Sequence, residues 1–93
     1  MPYLIQLPNK PGQPVMVLYD ITDDRARTKV SEALKDYGLS RVQFSAFIGK
    51  LTRTRKAELE MRLTRALGDA TGVVMMLQLE QKQLEEMWFL GHA

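Results

Sequence analysis

Two uninterrupted apolar runs, residues 15–19 and 73–77, lie towards the two ends of this 93-residue chain. Runs of this length that contain β-branched residues are typical of buried strands. Between them, apolar residues recur three or four positions apart, which is the spacing of one helix face. The two stripes are Ala26, Val30, Ala33, Leu34 and Tyr37, and then Leu59, Leu63, Ala66 and Leu67. The sequence therefore predicts two helices between strands, ended by Gly38 and Gly68.

Polar residues ahead of each stripe mark the helix starts. Thr22 is predicted to cap the first helix, with Asp23 and Asp24 in its first turn, where carboxylates complement the helix dipole. Thr52 or Thr54 is predicted to cap the second helix. We expect the two acidic residues to be helix-start charges rather than metal ligands.

The stretch 39–51 has an alternating pattern, which predicts strand. The apolar set is Val42, Phe44, Ala46 and Ile48. Phe47 lies opposite that set and faces either the helices or a partner. Gly49 interrupts or bulges the pattern. The alternation leaves open whether one long strand or two short ones form here.

The order strand–helix–strands–helix–strand predicts an α+β fold, the ferredoxin-like βαββαβ sandwich. Helices cover one face of such a sheet, so the other face is wet or meets a partner, and the apolar strands favour a partner. We divide the chain into an N-terminal arm, residues 1–14, and a single domain, residues 15–93. All four prolines lie in the arm, whose role the sequence leaves open.

Small size favours an oligomer. A chain of 93 residues without cysteine has neither a disulfide nor a thiolate metal site to add stability. The tail, residues 80–93, begins with a polar stretch that suits a turn of helix and becomes strongly apolar at residues 87–90. We therefore predict a homodimer. No apolar run approaches the ~20 residues of a membrane span, and no signal-peptide pattern is present, so we expect a cytoplasmic protein without a membrane partner.

Charge is concentrated in one stretch. The net charge is only +2, but residues 50–65 contain six cations and two anions. One interpretation is a surface that contacts phosphates, and the other is a solvated helix face. The candidate nucleic-acid-binding residues are Lys50, Arg53, Arg55, Lys56 and Arg62.

Asp20 follows the first apolar run, at the carboxyl end of a predicted central strand. A carboxylate there suits Mg²⁺, with water and substrate phosphate completing the coordination. Two-fold symmetry would supply a second carboxylate. The alternative is that Asp20 only binds loop amides near the helix start.

The single histidine and the methionines are not expected to take part in catalysis. His92 is the only histidine and lies near the end of the chain, so any hydrolysis must rely on metal-activated water. Met61, Met75 and Met76 are expected in the core.

The segments YDITDD, residues 19–24, and RVQFSAF, residues 41–47, followed by Gly49, resemble the CRISPR-associated Cas-two family. The resemblance covers residues 15–79. It implies a homodimer with two sheets packed face to face, a role in CRISPR spacer acquisition and binding to the CRISPR integrase. Residues 89–91 also resemble the family's last strand, so the resemblance implies an extra C-terminal strand exchanged between subunits.

The same resemblance implies a metal-dependent endonuclease site. Asp20 would be the Mg²⁺ ligand, one from each subunit, and the neighbouring catalytic positions would be Tyr19, Arg27, Lys29, Arg41 and Phe47. Lys29 stands where relatives often have arginine, which removes bidentate phosphate geometry.

Two alternatives to the nuclease remain. One is a non-catalytic adaptor that bridges DNA and integrase. The other is an mRNA-cleaving toxin of the virulence-associated protein D type, which shares the fold. The sequence does not decide between RNA and DNA as the nucleic acid.

Overall fold

The computed structural model describes Leu7 and residues 10–91. The elements are β1 (Gln13–Ile21), α1 (Asp24–Asp36), β2 (Ser40–Gln43), β3 (Ala46–Leu51), α2 (Arg53–Leu67), β4 (Gly72–Gln78) and α3 (Gln81–Glu85). The strands form an antiparallel sheet in the order β2-β3-β1-β4. The connections through α1 and α2 each skip one strand, which is the ferredoxin-like arrangement that the sequence predicts.

The side chains of the central strand β1 point alternately to the two faces of the sheet. Val15, Val17 and Tyr19 are buried on the face that α1 and α2 cover. Met16 and Leu18 point to the other face and are only half-buried. The helices close the core with six buried residues of the predicted stripes, which are Ala26, Val30, Ala33, Leu34, Leu59 and Leu63.

Helix α1 begins one residue later than predicted. Asp23, not Thr22, is the N-cap, and its carboxylate accepts a hydrogen bond of 2.7 Å from the amide of Ala26. An N-cap side chain binds the amide two or three positions ahead. Ala26 lies three positions beyond Asp23, so this hydrogen bond identifies Asp23 as the N-cap. Helix α2 is capped by Thr52, one of the two predicted positions.

The stretch 39–51 forms two strands joined by a turn at Phe44 and Ser45. Arg41 pairs with Phe47 and Gln43 pairs with Ala46, so β2 has one extra residue between these pairs. Such a bulge bends a strand and changes the direction of its side chains. The bulge and the turn end the alternation that the sequence suggests.

The sequence led us to expect that Gly49 interrupts or bulges the strand, and it does not interrupt it. It lies within β3 and pairs with Val15. A Cβ atom at this position would lie 3.0 Å from Cγ of Leu39, so the close approach of the loop favours glycine. Phe47 is fully buried in the core, so of its two predicted orientations it takes the one towards the helices.

The face of the sheet opposite the helices, called the open face below, is apolar. Val73, Met75 and Leu77 of β4 are 58%, 54% and 44% exposed, and their neighbours on β1 share this face. The expectation that Met75 is a core residue was therefore wrong. The same expectation was wrong for Met61, which is 62% exposed on α2, outside the buried stripe. Met76 packs against the core as expected.

The first strand begins inside the predicted N-terminal arm. Strand β1 begins at Gln13, so the last two residues of the arm 1–14 belong to the sheet. The rest of the arm, apart from Leu7 and residues 10–12, and His92 lie outside the described residues. Helix α3 matches the predicted turn of helix, and residues 87–91 form neither helix nor strand within the chain. No helix in the described part is long and apolar enough to cross a membrane.

Candidate functional site

Asp20 lies near the carboxyl end of β1 and its side chain points to the open face. It is exposed and pairs across the sheet with Val73 of β4. The strand places it two positions beyond Leu18, on the same face. Within the described residues, Asp20 takes part in no ion pair. Its carboxylate is therefore available to a ligand that approaches the open face.

A single chain offers one carboxylate at this place. Among the described residues there is no group of three or more histidine, cysteine or acidic side chains that could hold a metal ion. Mg²⁺ in enzymes that act on phosphates is often held by one or two carboxylates, with water and phosphate in the remaining positions. Asp20 therefore supplies one carboxylate of the kind that such an ion needs, and the described residues of one chain bring no second one to it.

Four of the other predicted residues meet on the helix-covered side of the sheet. The rings of Tyr19 and Phe47 stack with their centroids 6.3 Å apart and an angle of 27° between their planes. The guanidinium carbon of Arg41 lies 5.1 Å from the centroid of the Phe47 ring. Such cation–π contacts hold the charged group in place without neutralising it.

Arg27 reaches the same cluster from the first turn of α1. Its guanidinium group forms an ion pair with Asp24 and donates a hydrogen bond of 3.3 Å to the carbonyl oxygen of Ile21. It also lies 5.9 Å from the centroid of the Phe44 ring. The end of β1 and the start of α1 thus fix the position of this cation.

Phe44 is a member of this cluster that sequence reasoning missed. Its ring is 72% exposed and lies between two cations, with the guanidinium carbon of Arg41 at 6.0 Å and that of Arg27 at 5.9 Å. The sequence signal was the pair of phenylalanines three positions apart. Unbroken alternation places Phe44 and Phe47 on opposite faces, but the turn brings both rings near Arg41.

Lys29 lies apart from the cluster. It is two residues beyond Arg27 on α1, and residues at this spacing point to different sides of a helix. Lys29 instead lines a shallow surface pocket with Glu32, Arg62 and Arg65. The structure therefore separates the six predicted catalytic residues into three places, with Asp20 on the open face and Lys29 on the outer surface of α1.

The predicted nucleic-acid-binding residues form two clefts rather than one surface. Lys50 and Arg55 line the first cleft together with Lys10 and Tyr37, whose ring centroid lies 4.6 Å from the guanidinium carbon of Arg55. Three cations line this cleft and form no ion pair with a described residue, while Asp36, which also lines it, is paired with Arg62. This geometry suits a phosphate group.

The second cleft has less free positive charge. Arg53 and Lys56 line it, and the ammonium group of Lys56 is 3.3 Å from the carboxylate of Glu60. Arg62 lies in neither cleft, because its guanidinium group forms an ion pair of 2.6 Å with Asp36 of α1.

Comparison with known proteins tests the resemblance seen in the segments YDITDD and RVQFSAF. The family model described as CRISPR associated protein Cas2 matches residues 13–87 of the chain. The chain belongs to the Cas2 family. Family membership confirms the resemblance and favours a CRISPR protein over the toxin alternative.

A similar Cas2 protein is the CRISPR-associated endoribonuclease Cas2 of Desulforudis audaxviator. It is 46% identical over 69 residues, which are 74% of this chain and 65% of that protein. A CRISPR-associated endonuclease Cas1/endonuclease Cas2 fusion of Thermoproteus tenax is 37% identical over 71 residues, which are 76% of this chain and 27% of the fusion.

A solved Cas2 structure confirms the fold. The Cas2 protein of Streptococcus pyogenes superimposes with a TM-score of 0.69 and 29% sequence identity, over 84% of this chain and 99% of that protein. The ferredoxin-like sandwich predicted from the order of strands and helices is therefore the fold of this Cas2-family chain.

Proposed function

We propose that this member of the Cas2 family is a dimeric protein of CRISPR spacer acquisition. In this proposal it binds nucleic acid and the CRISPR integrase and hydrolyses phosphodiester bonds with Mg²⁺ at a pair of Asp20 carboxylates. The observation that supports the proposal is the position of Asp20, which is exposed on the open face beside the exposed apolar side chains of β4.

The open face supports pairing of two chains. Val73, Met75 and Leu77 expose about half of their surface there, in one row along β4. Apolar patches of this kind on small proteins usually mark interaction surfaces. A two-fold axis through this face would bury the row against its own copy. Trp88 and Leu90, 79% and 74% exposed, would then extend from each chain towards the partner's sheet.

Such a dimer would give Asp20 its chemical role. Because Asp20 lies on the same face as the apolar row, packing of the two open faces would bring the two carboxylates to one interface. Two carboxylates placed close together repel each other and favour a bound cation. Mg²⁺ would supply an activated water and charge stabilisation at the phosphate. Asp20 would hold the ion, and the apolar row would exclude bulk water beside it.

The names of relatives agree with this activity. The Desulforudis relative is named an endoribonuclease, and the Thermoproteus protein is a fusion of Cas1 and Cas2 endonucleases. In the latter the two proteins are one polypeptide, which supports a Cas1-type integrase as the partner of this chain.

A second candidate function is a non-catalytic adaptor between DNA and integrase. The first basic cleft favours it, because Lys10, Lys50 and Arg55 converge without carboxylate partners among the described residues. A duplex held there through its phosphates needs no hydrolysis. Both functions are compatible with the same dimer.

The substitution Asp20→Asn tests the nuclease. It removes the negative charge and nearly keeps the shape, so the fold and the dimer should remain. We expect loss of Mg²⁺-dependent cleavage of RNA or duplex DNA, and loss of any rise in melting temperature on adding Mg²⁺. The matched control is Asp69→Asn, which changes an exposed carboxylate in the turn after α2 and should behave as the wild-type chain.

Two results separate the candidates. Asp20→Asn protein that still bridges DNA and integrase but does not cleave supports both roles of the dimer. Wild-type protein without cleavage under any divalent metal, but with intact bridging, would leave the adaptor alone. Full cleavage by purified Asp20→Asn protein would place the active site elsewhere.

A further inference from the structure

One wall of the first basic cleft comes from the N-terminal arm. Lys10 and Pro11 line the cleft, and both precede residues 13–87, which the Cas2 family model matches. The neighbouring Gly12 has a φ of 112°, and a Cβ atom there would overlap the carbonyl group of Leu51. The arm therefore passes directly beside the end of β3 and adds to the cleft a wall that the family match does not include.

The ammonium group of Lys10 lies at the carboxyl end of α1. Gly38, which follows this helix, has a φ of 83°, and a Cβ atom there would lie 2.6 Å from Nζ of Lys10. Glycine adopts this backbone conformation without strain and leaves room for the ammonium group. The helix dipole favours a cation at the carboxyl end of a helix, so α1 helps to place the charge of Lys10.

Arg55 reaches the cleft from the first turn of α2. Its amide donates a hydrogen bond of 3.3 Å to the hydroxyl of the N-cap Thr52, and its guanidinium carbon lies 4.6 Å from the centroid of the Tyr37 ring. The backbone and the side chain are thus both held in place, and the ring leaves the positive charge intact. Lys50 at the end of β3 contributes a third, half-buried residue to the lining.

The cleft combines excess positive charge with a small volume. Its three cations form no ion pair with a described residue. Asp36 is the one carboxylate among the described residues of the lining, and Arg62 pairs with it at 2.6 Å. The volume of about 270 Å³ lies below the roughly 300–1,000 Å³ of sites for drug-sized ligands. A compact anion with several charges suits this cleft.

We infer that the first basic cleft binds the polyphosphate group of a small molecule, either inorganic pyrophosphate or the phosphate chain of a nucleoside triphosphate. Lys10, Lys50 and Arg55 contact its oxygens. Ammonium and guanidinium groups form charge-assisted hydrogen bonds with phosphate oxygens, which are stronger than hydrogen bonds between neutral groups. Linked phosphate groups offer several charged oxygens within a small volume, so one ligand can satisfy cations from the arm, the sheet and α2.

Such a ligand competes with duplex nucleic acid. The adaptor function proposed above places duplex phosphates at the same three cations, so the cleft does not hold both ligands at once. Polyphosphate therefore lowers the apparent affinity of the chain for duplex. Only this competition rests on the proposed function, because binding of the small ligand depends on the cleft alone.

Isothermal titration calorimetry with sodium pyrophosphate, at fixed ionic strength and without divalent metal, tests the site. Lys10→Gln and Arg55→Gln should each weaken binding about tenfold, because each removes one charged hydrogen-bond donor. Both side chains are exposed, so the fold should remain. The matched control is Lys35→Gln, which removes the same charge from the last turn of α1 outside the cleft and should bind as wild type.

Two further measurements define the ligand. Asp36→Asn removes the carboxylate from the lining and should tighten the binding of pyrophosphate. ATP replaces pyrophosphate in a second titration, and similar affinities would show that the phosphate chain is the part recognised. Binding of ATP without binding of pyrophosphate would overturn the assignment of the cleft to a polyphosphate group.

No binding of pyrophosphate at millimolar concentration would overturn the inference, and so would equal affinities of wild type, Lys10→Gln and Arg55→Gln. Displacement of a labelled duplex by pyrophosphate, at constant ionic strength, measures the competition. A duplex that stays bound while pyrophosphate occupies the cleft would overturn the competition and place the duplex elsewhere. Duplex binding that is intact in a chain without affinity for pyrophosphate would overturn the inference and leave the adaptor function standing.

Discussion

At the scale of single residues, the start of α1 depends on one carboxylate, that of Asp23. Thr22, Asp23 and Asp24 all belong to the residue types that cap helices, so residue type alone does not choose among them. In the structure the acceptor is Asp23, whose carboxylate accepts a hydrogen bond from the amide of Ala26, three positions ahead. The first turn has several unpaired amides, so the cap is identified by this contact and not by residue type.

The cap leads to a stability prediction. Asp23→Ala removes the acceptor for the Ala26 amide and should lower the free energy of unfolding by about 1 kcal/mol. Thr22→Ala is the matched control, because Thr22 is exposed and does not cap α1. Urea unfolding at one protein concentration would compare the two variants with wild type. Equal stability of both variants would show that the Asp23 hydrogen bond does not hold the helix start.

At the scale of elements, the order of the helices and strands was predictable from the sequence, whereas the bulge in β2 and the turn between β2 and β3 were not. The stripes of α1 and α2 and the runs of β1 and β4 follow periodicities that local sequence carries. The bulge at β2 and the turn at Phe44 depend on pairing with β3 and on the Tyr19 amide, which are contacts across the sheet. Phe44 was missed for this reason, since its position follows from the turn rather than from alternation.

The cations of residues 50–65 were predicted to form one basic surface. The structure divides this surface between two clefts, because residues 53 and 56 lie on one side of α2 and residue 55 lies on another. We expect the double variant Lys50→Gln with Arg55→Gln to lower the salt slope of duplex binding by about 0.9 for each phosphate that the variant no longer neutralises.

The matched control for this experiment is Arg53→Gln with Lys56→Gln, which removes the same charge from the second cleft, where Glu60 already neutralises Lys56. It should change the slope less. The slopes are measured by fluorescence anisotropy over a range of salt concentrations. A larger loss of slope in the control than in the first double variant would show that the duplex binds at the second cleft.

At the scale of the whole molecule, α1 and α2 cover one face of the sheet, and the row of apolar side chains on β4 remains exposed on the other. The helices lie over Val17 and Tyr19, while the alternate residues Val73, Met75 and Leu77 of β4 face outward. Hydrophobic burial of so short a chain leaves little stability in reserve, which makes the exposed row costly for an isolated chain. The family fold and this asymmetry follow from the sequence, whereas the partner that covers the open face belongs to the proposal.

The dimer is tested by placing charge on each side of the molecule. Met75→Asp puts a carboxylate on the open face and should give a monomer in analytical ultracentrifugation. Met61→Asp changes a residue of similar exposure on α2, 62% against 54%, and should leave the dimer intact.

Deletion of residues 87–93 should give monomer or aggregate if the tail adds to the partner's sheet. A stable dimer in both the Met75→Asp and the deletion variants would disprove pairing through the open face.

Tyr19 and Asp20 are joined by one peptide bond, yet their side chains enter different surroundings. A strand of this kind lets the two sides of a protein change independently over generations. A descendant without the carboxylate would keep the buried tyrosine, the turn that it anchors and the surface beyond that turn. The packing of the helix-covered side therefore does not depend on the side chain at residue 20, and a lineage without that carboxylate would still keep the contacts of Tyr19.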